Sequence, residues 1–90
     1  MEQFKPEGLS EKDLKVLMDH TFKICGDTTF PEDQIIQGIV NDLHLMKNSD
    51  HFAQAFDIID PDQNHSETKQ LSEIGKERIR KAIEIFSNEV

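Results

Sequence analysis

Ile35, Ile36, Ile39, Val40 and Leu43 fall three and four residues apart, a spacing that only a helix can turn into one continuous apolar stripe. Met46 extends the stripe by one more step. At its head stands Phe30-Pro31-Glu32-Asp33. Proline suits the first helical turn, and the two acids complement the positive end of the helix dipole. A helix with this much apolar surface on one side needs other elements to cover it, so the rest of the chain is read for partners.

Ser10-Glu-Lys-Asp13 reads as an N-cap with an acid three residues on. The following Leu14, Leu17, Met18, Thr21, Phe22 and Cys25 share one helical face, and Gly26 is placed to end that helix in a left-handed turn. Ser49-Asp50 is the expected cap of a short third helix bearing Phe52, Ala53, Phe56 and Ile59, which stops before Pro61. A strand over Phe56 to Ile59 is the alternative, but that run alternates poorly. A last helix begins at Ser66 or Ser72, ends at Asn88 and turns Ile79, Ala82, Ile83 and Phe86 to one side, with Leu71 and Ile74 earlier. The expected fold is all-α, a small four-helix antiparallel bundle with a short third helix. Ninety residues make one domain, with residues 1–9 a loose N-terminal segment.

Charge is distributed unevenly. From Asp19 to Glu67 ten carboxylates stand against two lysines, Lys23 and Lys47, within a chain of net charge −8. The final helix is locally basic, with Lys69, Lys76, Arg78, Arg80 and Lys81 against Glu73 and Glu77, and is expected to pair with the acidic tract inside the fold. Nucleic-acid binding needs a basic surface, so the balance argues against it and for a basic protein partner. A single cysteine, Cys25, permits no internal disulfide and points to a reducing compartment. No apolar run is long enough for a membrane helix or shaped like a signal core, so a soluble cytoplasmic protein with no membrane contact is expected.

Chemical motifs are few. Asp60-Pro-Asp62-Gln-Asn64-His65-Ser66 resembles the start of an EF-hand loop, with Asp60, Asp62, Asn64 and Ser66 at the first oxygen-donating positions. His65 stands where the bend requires glycine and Leu71 where calcium requires a bidentate glutamate. An interhelical loop is the better reading. His20, His44, His51 and His65 lack the close spacing of metal ligands, and Cys25 lies on a core stripe, so neither a metal site nor a cofactor nor a nucleophile is expected. Leu71-Ser-Glu-Ile-Gly75 resembles the run that opens the last helix of winged-helix proteins, yet Glu32, Asp33 and Asp42 would repel the DNA backbone from the reading helix.

An array of carboxylates on a small domain can steer a basic cleft toward it and select partners by charge. Glu32, Asp33, Asp42, Asp50, Asp57, Asp60 and Asp62 are the candidate binding acids, with Phe52 or Phe56 a possible apolar anchor, Phe56 being the one carried into the candidate site.

Three stretches together resemble the immunity proteins of nuclease colicins and pyocins: Ser10-Glu-Lys-Asp-Leu14, Ile24-Cys25 leading to Phe30-Pro-Glu-Asp33, and Asp57-Ile-Ile-Asp-Pro61. The resemblance implies a small acidic cytoplasmic four-helix protein that inhibits a basic nuclease through its second helix and the Asp57 to Pro61 segment. In that family two tyrosines precede the proline and anchor the toxin. Here Asp60 holds the last of those positions and the chain has no tyrosine, so no aromatic anchor carries over. The expected function is thus a non-enzymatic acidic protein-binding module, an immunity-type inhibitor in its sharpest form. A degenerate EF-hand-like or winged-helix regulatory adaptor is the alternative.

Overall fold

Ser10 caps the first helix as its sequence predicts, its hydroxyl accepting a hydrogen bond from the backbone N–H of Asp13 at 3.1 Å. The computed structural model describes residues 9–89, so the expected loose segment lies outside it apart from Leu9, which packs against the core. Helix α1 spans Glu11–Cys25, α2 Glu32–Met46, α3 Phe52–Ile59, α4 Ser66–Lys69 and α5 Glu73–Glu89, with a 3-10 turn at Pro61–Gln63. The described residues form no strand, and the fold is the small all-α bundle with a short third helix. Both candidate starts of the last helix are used. Ser66 opens the single turn of α4, and the Ser72 hydroxyl accepts from the N–H of Gly75 to cap α5.

The α2 stripe is the centre of the core. Ile39, Val40, Leu43 and Met46 have no exposed surface, and they meet Leu14 and Cys25 from α1, Ile59 from α3, and Ile79, Ala82 and Phe86 from α5. Truncating one of the large fully buried residues to alanine costs about 2–5 kcal/mol. On α3 the register differs from expectation by one step of the helix: Ala55 is buried and Ala53 faces solvent. Ile74, expected inward, is exposed because it stands about 100° round α5 from the inward stripe of Gly75, Ile79, Ala82 and Phe86.

Helix direction departs from a simple up-and-down bundle. His20 and Thr21 meet Asp42 while Ile24 approaches Gly38, so α1 and α2 are antiparallel. Arg78 lies beside Glu32 whereas Phe86 and Glu89 lie beside His44, so α5 runs parallel to α2. A short α3 cannot fill the place of an antiparallel fourth helix. Together with the 3-10 turn and α4 it carries the chain back to the end where α2 began. There Gly75 lets α5 close on α1: a Cβ at this position would stand 3.0 Å from the Cys25 sulfur.

Gly26 does not adopt the left-handed turn expected of it; its φ is −98°. The N–H groups of Gly26 and Asp27 both turn to the Ile24 oxygen, and a side chain from α5 joins this helix end. Arg78 Nη1 donates to the Cys25 oxygen at 3.1 Å and to the Asp27 oxygen at 2.7 Å. A cation at a helix C-terminus also suits the dipole.

Candidate protein-binding surface

Helix α3 turns one side inward and the other outward. Ala55 and Ile59 enter the core, and Phe52 and Phe56 stack beside Phe86 with ring centroids 5.5 to 6.2 Å apart. The opposite side presents Asp50, Ala53, Gln54 and Asp57, all exposed and at helical spacing. Asp60 follows, half-buried, where it ends α3 and accepts a hydrogen bond from the N–H of Asp62 at 3.0 Å.

The candidate acids therefore divide. Asp50, Asp57 and Asp60 come together on and around α3. Asp62 is adjacent, but its carboxylate is engaged by Arg80 Nε at 3.1 Å, a bond that raises the arginine pKa. Glu32 and Asp33 begin α2, about 22 Å of helix away from its Asp50 end. Arg78 and Arg80, two positions apart and so on nearly opposite sides of α5, stand beside Glu32 and Asp62 respectively. The basic last helix thus reaches the acidic tract from both flanks, as its charge predicts.

Besides Glu32 and Asp33, two further candidates are not on this surface. Asp42 is 5% exposed, its Oδ2 accepting from Thr21 Oγ1 at 2.9 Å and meeting His20 Nδ1 at 2.7 Å. A buried carboxylate must have such donors, and the α1 face supplies them. Phe56 packs inward on Phe52 and Phe86, which places its ring against the core and leaves the outward face without an aromatic anchor.

The Asp60 to Ser66 loop bends one residue earlier than an EF-hand does. Asn64 takes the left-handed conformation, φ 59° and ψ 34°, while His65 is extended. Asp60 caps the 3-10 turn and Asp62 faces Arg80, so their oxygens do not converge. Among the described residues no three His, Cys, Asp or Glu side chains gather as metal ligands would. Cys25 is buried, its thiol donating to the Phe22 carbonyl, and burial raises its pKa.

Sequence reasoning missed the groove beside this surface. It lies between α1 and the α3–α4 corner, about 560 Å³ in volume, with Leu14, Met18 and Phe22 on one side and Ala55 and Ile58 on the other. Its one early signal is the 14, 18, 22 spacing, which continues past the part of the α1 stripe that the core can cover. No protein-family model matches the chain, and no curated protein or solved structure matches it significantly.

Proposed function

We propose that this chain is a small, non-enzymatic binding protein that docks its α3 surface on a basic protein, and that it acts in the cytoplasm as an immunity-type inhibitor of a nuclease-like partner. The observation that carries this reading is the unpaired outward face of α3. Among the described residues, no lysine or arginine lies within ion-pairing distance of Asp50, Asp57 or Asp60, although the neighbouring Asp62 has its arginine. Charges that the fold does not neutralise are available to a partner, and at the rim of an interface they raise association rates by steering.

Asp50 and Asp57 make no side-chain hydrogen bond or ion pair among the described residues, so the fold draws no contact from them, whereas Asp60 also caps the 3-10 turn. The inhibitory form of the reading rests on the resemblance of the Asp57 to Pro61 segment to immunity proteins and on the basic active-site clefts that nucleases use to hold phosphate. The absence of tyrosine sets this chain apart within that comparison, and its docking must depend on charge and on contacts other than an aromatic pair.

Immobilised protein, exposed to lysate from its native cell and eluted over rising salt, tests the proposal. The expected eluate is a basic nuclease, released at moderate salt, whose activity the purified chain suppresses and whose binding weakens in the Asp50→Asn, Asp57→Asn variant. Recovery of nucleic acid instead of protein, or a bound protein whose affinity ignores both substitutions, refutes it.

A further inference from the structure

Resting on the reading of a basic partner, we propose that the groove between α1 and the α3–α4 corner receives an apolar side chain from that partner, carried on an amphipathic segment with one cationic edge. The anchor then belongs to the partner, and this chain supplies the socket.

Three observations lead there. The groove floor is apolar surface that the fold leaves uncovered: Met18, Phe22 and Ile58 are only half-buried, while Leu14 and Ala55 beneath them are closed off. A volume of about 560 Å³ is within the range of pockets that bury small apolar groups. Met18 lies within it, and a flexible thioether adapts to whatever side chain enters.

Charge across the groove is asymmetric. On the α1 wall Glu11, Lys15 and Asp19 alternate in sign at four-residue spacing, with Lys12 beside them, so the wall is nearly neutral. On the other wall Glu67 of α4 stands with Asp50 and Asp57 just round the α3 surface from Gln54 and Ile58. That wall is acidic. A helix lying in the groove with a leucine or phenylalanine directed down and lysines along one edge satisfies both features, and its orientation is set by which edge is basic. A second copy of this chain meets the requirement poorly, because of the four cations on its α5 Arg78 is buried, Lys76 is paired with Glu73 and Arg80 with Asp62 and Glu77, so Lys81 stands alone and makes no basic edge.

The test uses the full chain with labelled methionine and isoleucine methyls and two synthetic helical peptides carrying the same lysines. One peptide has leucines at groove-facing positions and the other has glutamines there. The leucine peptide is expected to move the Met18 and Ile58 methyl signals and to bind about tenfold or more tightly, the effect of burying one large apolar side chain. Equal affinities with unmoved methyls overturn the groove and leave the acidic surface as the binding element. Failure of both peptides to bind overturns the groove and counts against the basic-partner reading as well. Methyl signals that move on deleting residues 1–8, or on dilution of the chain alone, assign the groove to the chain itself and also overturn the proposal.

Discussion

Arg78 donates to the backbone oxygen of Cys25, a residue 53 positions earlier, and so fastens the start of α5 to the end of α1. The same nitrogen reaches the Asp27 oxygen, and the carboxylate of Glu32 lies 4.0 Å from its Nε, which has no hydrogen-bond partner of its own. Three elements therefore meet at one buried guanidinium. Replacing it by methionine keeps the aliphatic stem but strands the buried Cys25 oxygen and the part-buried Asp27 oxygen, the first costing about 1–3 kcal/mol when left unsatisfied and the second less. Arg78→Met is expected to destabilise the fold by about 3 kcal/mol in urea unfolding with little change in m-value.

Thr21 and Asp42 form a second buried polar contact, between α1 and α2. Thr21→Val removes one of the two donors that face a carboxylate shut away from water, and the loss expected is about 1–3 kcal/mol. Asp42→Leu in the same background leaves no carboxylate to satisfy, so the double variant is expected to lose less than the two single losses combined. A double-mutant cycle by chemical denaturation measures the difference.

The Cys25 thiol is raised above its ordinary pKa, first by burial, with the nearby Arg78 charge opposing. A group raised on folding contributes stability that is complete below the pKa of the unfolded thiol, about 8.5, and is lost as pH rises past it. Alkaline titration should therefore lower the unfolding midpoint, and Cys25→Ser should flatten that part of the profile. Reaction with a thiol reagent is expected to be slow in the native protein and fast in urea.

Asp27 is shifted the other way. The Thr29 hydroxyl at 2.6 Å and the Thr29 N–H at 2.7 Å both donate to its Oδ1, and they lower its pKa. Its contribution is present above the pKa of the unfolded carboxyl and disappears as pH falls through the lower folded value. Thr29→Ala keeps the backbone donor and removes the hydroxyl, so carbon-detected NMR should show the Asp27 titration moving up toward the ordinary aspartate value without reaching it.

Asp50 and Asp57 make no ion pair among the described residues, and both are exposed. Their conversion to asparagine is expected to change stability by less than about 0.5 kcal/mol, the range of ordinary surface substitutions. The same change at Asp42 should cost several times as much. Parallel urea titrations of the three variants separate acids that the fold uses from acids that it tolerates.

What could be read from the sequence followed the periodic residues. The α2 stripe, the Ser10 cap, the stop ahead of Pro61 and the burial of Cys25 are local consequences of spacing and chemistry, and each stands in the structure. Asp42 was misplaced because net charge treats every carboxylate alike, whereas burial depends on whether a donor waits across the interface. Thr21, on the α1 face, was that donor. The end of α1 was misread for a similar reason. Glycine after a helix permits a left-handed cap without requiring one, and here Arg78 holds the Cys25 and Asp27 oxygens on either side of Gly26 from a part of the chain that no local pattern connects to it. The groove needed the crossing of α1 with α3, which no single stripe contains.

The parallel pairing of α2 and α5 fixes an order of events during synthesis. When α1, α2 and α3 have left the ribosome, Ile39, Val40 and Leu43 are still open along the strip that Ile79, Ala82 and Phe86 later occupy. The first two helices can only collapse loosely, because their seal is held in a stretch of chain made after them. Non-local closure of this kind slows folding relative to hairpin-connected bundles, so the nascent protein spends its most adhesive interval before α5 arrives.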